Sequence, residues 1–181
     1  LASLVASSVL FAGNYNVDAS HSNVGFSVKH MMITNVTGKF NDVSGNFEYD
    51  EKTNTLKALS GDIIVASINT ADEKRDTHLK AEELFDAAKF PKINFNATKI
   101  EENAVYGDLT MKGITKNIKL ELENGGTVTD PWGKQRAGFE LVGKINRKDF
   151  GITWNKVLET GGVAVGEEIK LQIAMEGILA K

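Results

Sequence analysis

The sequence contains no cysteine, and only 2 of its 181 residues are proline. A chain without cysteine forms no disulfide framework and uses no thiol nucleophile, although this absence leaves the compartment undecided. Basic residues are not in excess: 21 lysines and arginines compare with 24 acidic residues, and they form no continuous run. Because nucleic-acid binding depends on a basic surface, this composition argues against a nucleic-acid partner.

The chain opens with an uncharged apolar segment, LASLVASSVLFA, at residues 1–12. The segment is too short to cross a bilayer as a helix. An apolar stretch that ends in a small residue is typical of a secretory signal, although an N-terminal helix of the folded protein would have the same composition. We interpret residues 1–12 as a signal-peptide remnant and therefore expect a periplasmic or secreted protein that does not span a membrane.

Apolar residues recur at every second position through much of the chain. In residues 23–32, one parity carries Val24, Phe26, Val28, His30 and Met32, whereas the other is mostly polar. This period of two is typical of a half-buried strand. The same pattern occurs in residues 43–50, 93–98, 105–112, 118–123, 139–147 and 169–176, and residues 59–68 form a more continuous apolar run. Strands at this spacing predict an antiparallel sandwich or barrel, between which the pattern does not decide.

Residues 70–90 interrupt this rhythm because they are rich in helix-forming residues. We predict one or two short helices there, with a capping box formed by Thr70 and Glu73 and an end before Pro91. Turns are predicted at residues 124–126 (Asn-Gly-Gly) and 130–133 (Asp-Pro-Trp-Gly). No repeat or linker divides the chain, so we expect residues 14–181 to form a single domain.

A series of short motifs covers nearly the whole chain after residue 14. In order, they are Asp18-x-x-His21-Ser22, Gly38-x-Phe40, Arg75-Asp76-x-His78-Leu79, Phe90-Pro91-x-Ile93-x-Phe95, Gly113-x-Thr115-Lys116, Asp130-Pro131-Trp132-Gly133 and Asn146-Arg147-x-Asp149-Phe150-Gly151. Each motif is weak alone, but the ordered set resembles the YceI-like polyisoprenoid-binding family. The resemblance implies a mainly β fold: a lipocalin-like, eight-stranded antiparallel barrel with a short helical insertion around residues 71–90. It also implies an apolar cavity that holds an isoprenoid or similar amphiphile.

The inward parity of such a barrel supplies the candidate ligand-binding residues. They are Phe26, Val28, His30, Met32, Phe47, Phe95, Met111, Phe139, Leu141, Ile145, Arg147 and Trp154. Ordinary core packing explains each apolar member equally well, since an eight-stranded barrel is either filled by its own side chains or holds one small ligand. Only the resemblance favours a cavity.

Two polar residues lie on this apolar parity. The guanidinium of Arg147 suits a phosphate or carboxylate head group, but an ion pair with Asp149 or Asp76 would explain it as well. His30 is either a ligand contact or a core histidine bonded to the backbone. We expect Arg75 and Asp76 to hold the helical segment against the barrel.

The sequence thus predicts non-catalytic binding, transport or storage of a long-chain isoprenoid or fatty amphiphile, without a further cofactor. Two alternatives remain open: an enzyme acting on a small apolar substrate in the cavity, and a stress-related interaction protein. No nucleophile–base motif supports catalysis. A metal or haem site at His21, His30 and His78 matches no ligand spacing, so no metal is expected. A homodimer is possible.

Overall fold

The computed structural model describes residues 12–181, so the predicted signal segment lies outside the described residues apart from Ala12. Eleven β-strands and one α-helix form the regular structure of this part of the chain, together with three short 3-10 helices. The strands are β1 (Gly13–Val17), β2 (Asn23–His30), β3 (Thr34–Phe40), β4 (Val43–Asp50), β5 (Thr55–Ile64), β6 (Ile68–Asn69), β7 (Lys92–Glu101), β8 (Ala104–Met111), β9 (Ile114–Thr129), β10 (Gln135–Asn146) and β11 (Val165–Leu179). The helix α1 spans Glu73–Leu79.

Eight of these strands close into an antiparallel barrel, as predicted. Their order is β1, β4, β5, β7, β8, β9, β10 and β11, and β11 pairs back with β1. The long strand β11 changes partner along its length: residues 177–179 pair with β1, and residues 165–174 pair with β2. From β2 the sheet continues through β3 to β6. β1 and β2 therefore lie beside β11 as one interrupted strand, broken at a 3-10 turn, Ala19–His21.

One half of the barrel interior is filled by its own side chains. Tyr15 stacks on Phe47 with ring centroids 5.4 Å apart, and Phe47 meets the edge of Phe139 at 5.0 Å. The strand behind this layer carries Gly177, where a Cβ atom would lie only 2.5 Å from the Phe47 ring. A side chain at that position would displace the ring, so glycine permits the close packing. We call this packed layer the floor of the barrel.

The insertion between β6 and β7 contains one helix rather than two, and its start differs from the prediction. Asp72 caps α1 by accepting a hydrogen bond from the Arg75 backbone N–H at 2.9 Å. Thr70 forms no capping box with Glu73; its hydroxyl instead donates to the Asp76 carboxylate at 2.6 Å. Residues 80–91 form turns, because packing Leu84 into the buried interior outweighs the helix propensity of the segment.

The predicted turn at residues 124–126 is also wrong, because β9 runs straight through it. Asn124 pairs with Phe139 and Gly126 with Gly138, so Gly125 is an extra residue on β9. The Asn-Gly-Gly sequence therefore forms a β-bulge, another structure that uses a glycine with positive φ; Gly126 has φ +107°. The turn at residues 130–133 is confirmed, since the Gly133 N–H donates to the Asp130 carbonyl at 3.0 Å.

Candidate functional site

The half of the barrel beyond the floor encloses an apolar cavity of about 490 Å³. Strands on all sides contribute to its wall, and α1, the turns of residues 80–91 and residues 152–156 cover one side. Leu59, Leu120 and Leu141 line the cavity and also belong to the buried cluster of Tyr15, Phe47 and Phe139, so they mark the boundary between the packed floor and the cavity. The volume falls within the range of about 300–1,000 Å³ that is typical of small-molecule sites.

Nine of the twelve candidate residues line this cavity. They are Phe26, Val28, His30, Phe95, Met111, Leu141, Ile145, Arg147 and Trp154. The alternation of each strand placed these side chains on the inner face. That they contact a ligand remains a prediction.

Phe47 and Phe139 point inward but lie in the floor instead of the cavity wall. Both are almost fully buried, at 1% and 2% exposure. The period of a strand reports which face a side chain occupies, but it carries no information about height along the barrel axis. The prediction that these two rings line the cavity is therefore wrong.

Met32 lies outside the cavity wall as well. The alternation of β2 ends at His30, and the chain then turns through Met31 (φ 47°) and Met32 (φ 63°). In this left-handed conformation the two-residue period no longer applies, and Met32 is left 63% exposed. The strand prediction extended two residues too far.

Sequence reasoning missed much of the wall on the side of the insertion. Leu79, Leu84 and Phe85 line the cavity beside Phe40 from β3. The Phe40 ring contacts Phe26 at 5.7 Å and Phe85 at 6.1 Å between centroids, which joins the insertion to two strands. An apolar cluster after α1 was the available signal, but the pattern did not show where that cluster packs.

From its exposed lining residues, we infer that the cavity opens at the end where β2 and β11 pair through His30 and Val165. Among the described residues that line it, only Lys29, Met31 and Lys156 are exposed, and all three lie at this end. The Met31 N–H donates to the Ala164 carbonyl, and the Ala164 N–H donates to the Lys156 carbonyl. These contacts bring the turn after β2 and residues 156–165 together around one mouth.

Arg147 is buried and acts as an anchor for the chain beside the mouth. Its Nε donates to the Gly166 carbonyl at 2.8 Å, and Nη1 donates to the Ile152 and Trp154 carbonyls at 2.8 and 2.9 Å. A longer contact of 3.3 Å joins Nη2 to the Val165 carbonyl. Burial lowers the pKa of this guanidinium. The predicted ion pair is wrong: within residues 12–181, backbone carbonyls take the place of Asp149 and Asp76.

Arg75 and Asp76 hold α1 against the barrel, as expected. The Asp76 carboxylate accepts hydrogen bonds from the Thr70 N–H and hydroxyl, and the Arg75 Nη2 donates to the Thr70 carbonyl at 2.8 Å. Arg75 Nε also donates to the Thr70 hydroxyl. Because Thr70 directly follows β6, these bonds join the helix to the sheet.

The three histidines do not form a common metal site. His21 lies at the break between β1 and β2, His30 lies half-buried at the cavity mouth, and His78 lies on α1. His30 is therefore neither a metal ligand with the other two nor a fully buried core histidine. The His78 ring packs edge-on against Trp154, with centroids 4.8 Å apart, which joins α1 to residues 151–156.

The family model described as the YceI-like domain matches residues 15–177. This chain belongs to the YceI-like family. The match covers the barrel, the insertion that carries α1 and the segment that Arg147 anchors. In this YceI-like protein, no helix within residues 12–181 is long and apolar enough to cross a membrane.

Related sequences and solved structures agree with this assignment. A UPF0312 protein of Staphylococcus aureus (strain N315) is 41% identical over 165 residues, which cover 90% of this chain and 96% of the relative. The YceI protein of Campylobacter jejuni has a similar structure, with a TM-score of 0.70 and 34% identity over 84% of this chain and 90% of that one. A polyisoprenoid-binding domain of Saccharophagus degradans shares the fold with a TM-score of 0.66, at 14% identity over 94% of this chain and all (100%) of that chain.

Proposed function

We propose that this protein binds a long-chain isoprenoid or similar amphiphile in the barrel cavity without transforming it, and that it transports or stores this ligand. One observation carries the proposal: a closed barrel of the YceI-like family encloses an apolar cavity of about 490 Å³, and the exposed residues of its lining lie at one end. An apolar chain buried there is shielded from water, while a polar head group remains at the mouth. The fold shared with the S. degradans polyisoprenoid-binding domain favours an isoprenoid ligand.

Burial of an apolar chain against the apolar wall would provide enough free energy for binding. Each buried methylene contributes about 0.8 kcal/mol, so a chain of about a dozen carbons gains on the order of 10 kcal/mol. Association and ordering of the chain cost several kcal/mol, which leaves roughly micromolar binding or tighter. Affinity therefore comes from the wall residues, and polar contacts at the mouth select the head group.

Two polar groups that face the cavity, Thr70 and Arg147, are engaged in structural hydrogen bonds, which favours binding over catalysis. A hydroxyl nucleophile requires a neighbouring base that is free to accept its proton. The Thr70 hydroxyl instead donates to Asp76 and accepts from Arg75, in bonds that fasten α1. Arg147 is likewise committed to backbone carbonyls. We further propose that the protein works in the periplasm or outside the cell, with residues 1–12 as its signal remnant.

Mass spectrometry of the native protein provides the test. The protein is isolated from the organism that makes it, and an organic extract of the purified protein is compared with an extract of the same protein after delipidation. We expect a stoichiometric isoprenoid or related amphiphile in the first extract, and saturable rebinding of a fluorescent farnesyl or geranylgeranyl probe by the delipidated protein. An empty native protein that also fails to bind these probes would contradict the proposal.

A further inference from the structure

The mouth of the cavity carries an exposed apolar surface. Met31, Met32 and Ile33 form the turn between β2 and β3, with exposures of 44%, 63% and 83%. Val157, 84% exposed, lies in a small hairpin closed by the bridge between Val157 and Val163. We call Met31, Met32, Ile33 and Val157 the mouth patch.

The two parts of the mouth patch belong to one surface. The Met31 N–H donates to the Ala164 carbonyl at 2.8 Å, which fastens the turn to the strand that leaves the hairpin. The Met32 sulfur lies so close to the hairpin that a Cβ atom at Gly162 would be 2.5 Å from it. Because Met31 also lines the cavity, the patch borders the opening itself.

The turn presents its methionines at a conformational cost. The Ile33 N–H donates to the His30 carbonyl at 3.1 Å, and both central residues have positive φ, 47° for Met31 and 63° for Met32. Turns of this geometry favour Asn-Gly, because side chains other than those of Gly, Asn and Asp are strained there. Strained backbone that places two large apolar side chains in solvent is more typical of a functional surface than of a connection between strands.

The charges beside the patch suit an anionic surface. Lys29 and Lys156 are the exposed charged residues of the cavity lining, and both lie at the mouth. One carboxylate, Glu159, lies in the hairpin. The protein as a whole has a formal net charge of −3, so the positive charge of the lysines at the opening is opposite in sign to the charge of the whole protein.

We propose that the mouth patch docks on a lipid bilayer that contains anionic lipids. Met31, Met32, Ile33 and Val157 enter the boundary between head groups and acyl chains, while Lys29 and Lys156 pair with lipid head groups. This orientation faces the cavity opening toward the acyl chains, so an apolar ligand passes between bilayer and barrel without crossing water. The role of docking in ligand transfer rests on the proposed function; docking itself does not. A bilayer is favoured over a protein partner because the patch borders the opening of an apolar cavity, and a covering protein would block that opening.

Two substitutions remove the methionine side chains of the mouth patch without weakening the fold. Replacing Met31→Asn together with Met32→Gly installs the preferred residues of this turn. We expect the midpoint of thermal unfolding to stay unchanged or rise. Binding to sonicated phosphatidylcholine vesicles with one-third phosphatidylglycerol, measured by co-sedimentation, should weaken at least tenfold. All proteins compared carry the same residues 1–12, so a difference in vesicle binding between them is due to the substituted residues.

Trp132→Ser is the matched control. Trp132 is 80% exposed in the turn between β9 and β10. That turn lies near the other end of β11, where Arg136 pairs with Ile178. At 3.3 Å per residue, Ile178 is roughly 40 Å along the strand from Val165. The control should bind vesicles like the wild type. A pair of Lys29→Gln and Lys156→Gln should weaken binding only to the vesicles with phosphatidylglycerol, and added salt should reproduce this loss.

Three results would overturn docking at the mouth: vesicle binding as tight as wild type by the Met31→Asn, Met32→Gly variant, loss of binding in Trp132→Ser, or no vesicle binding by the wild type. If a wild type that binds no vesicles also forms a dimer, and the Met31→Asn, Met32→Gly variant dissociates it, the occupant of the patch is a second copy of the chain. Binding of the fluorescent isoprenoid in vesicle-free solution is measured in parallel. Wild type that binds this probe but no vesicles would refute docking alone, whereas vesicle binding without probe binding would refute the proposed function.

Discussion

The Arg136 guanidinium of β10 lies 2.8 Å from the Asp18 carboxylate, measured from Nη1 to Oδ2. The same side chain contacts Glu176 at 2.7 Å and Asp130 at 2.8 Å. Asp18 stands at the break between β1 and β2, and Glu176 lies on β11 between the residues that pair with β2 and those that pair with β1. Arg136 therefore fastens the point where β11 exchanges one partner strand for the other.

This ion cluster predicts a specific loss of stability in acid. Hydrogen bonds from Ser20, Arg136 and His21 hold the pKa of Asp18 well below its usual range. A lowered carboxylate pKa contributes stability above the unfolded-state pKa of about 3.9, and that contribution is lost as the pH falls toward the folded-state pKa. Asp18→Asn should therefore lower the unfolding midpoint by about 2–4 °C at pH 7, with the difference from wild type shrinking below about pH 4.

Thermal unfolding followed by circular dichroism from pH 3 to 7 measures this difference. Glu140→Gln, which removes an exposed carboxylate from β10, serves as control and should leave the midpoint nearly unchanged. A gap between Asp18→Asn and wild type that stays constant down to pH 3 would show that the carboxylate charge has no part in fastening the strands.

Filling the cavity should block ligand binding. Val28 lines the cavity on β2, and Val28→Trp places an indole in the space that the ligand chain would occupy. We expect at least a tenfold loss of affinity for a fluorescent isoprenoid, with the β-sheet signal in circular dichroism retained. Val142→Trp makes the same replacement at an exposed position of β10 and should bind normally. Equal binding by both variants would place the ligand outside the cavity.

Replacing Arg147 should separate a structural role from head-group recognition. A lysine retains the charge, but it cannot reproduce the planar set of donors that reaches the carbonyls of residues 152, 154, 165 and 166. We expect Arg147→Lys to cost about 2–5 kcal/mol of unfolding free energy. Binding of farnesyl phosphate and of farnesol should fall by the same factor. A selectively larger loss for the phosphate would instead make Arg147 a contact of the head group.

Opening the floor should change the preferred chain length. Phe139→Ala removes a ring that packs against Phe47 and costs about 3–5 kcal/mol of stability, because buried contacts are lost and a void remains. The void extends the cavity downward, so affinity for octaprenyl alcohol should rise relative to farnesol. Phe150→Ala removes another buried ring that is not part of the cavity wall or floor, and it should destabilise the protein without this shift. An unchanged ratio in Phe139→Ala would show that ligands do not reach the floor.

Local features of the fold were predictable from neighbouring residues alone. The alternation of Phe26 and Val28 identified a strand and its inner face, and the Asp-Pro-Trp-Gly turn formed where expected. Errors arose where two structures share one local signal. Asn-Gly-Gly serves a bulge as well as a turn, and residues 80–91 carry helix-forming residues that packing against the barrel holds in turns.

The strand pattern and most of the side chains that face the barrel interior follow from local sequence, because a period of two depends only on neighbouring residues. The ordered motifs were enough to indicate the family. Tertiary structure decided the height of each side chain along the barrel axis, and so placed Phe47 in the floor and Phe95 in the cavity wall. It also decided that Arg147 binds carbonyls instead of a carboxylate, and that the methionines after β2 lie beside the opening. These outcomes depend on strand register and on contacts between distant segments. A pattern among neighbouring residues carries no information about either.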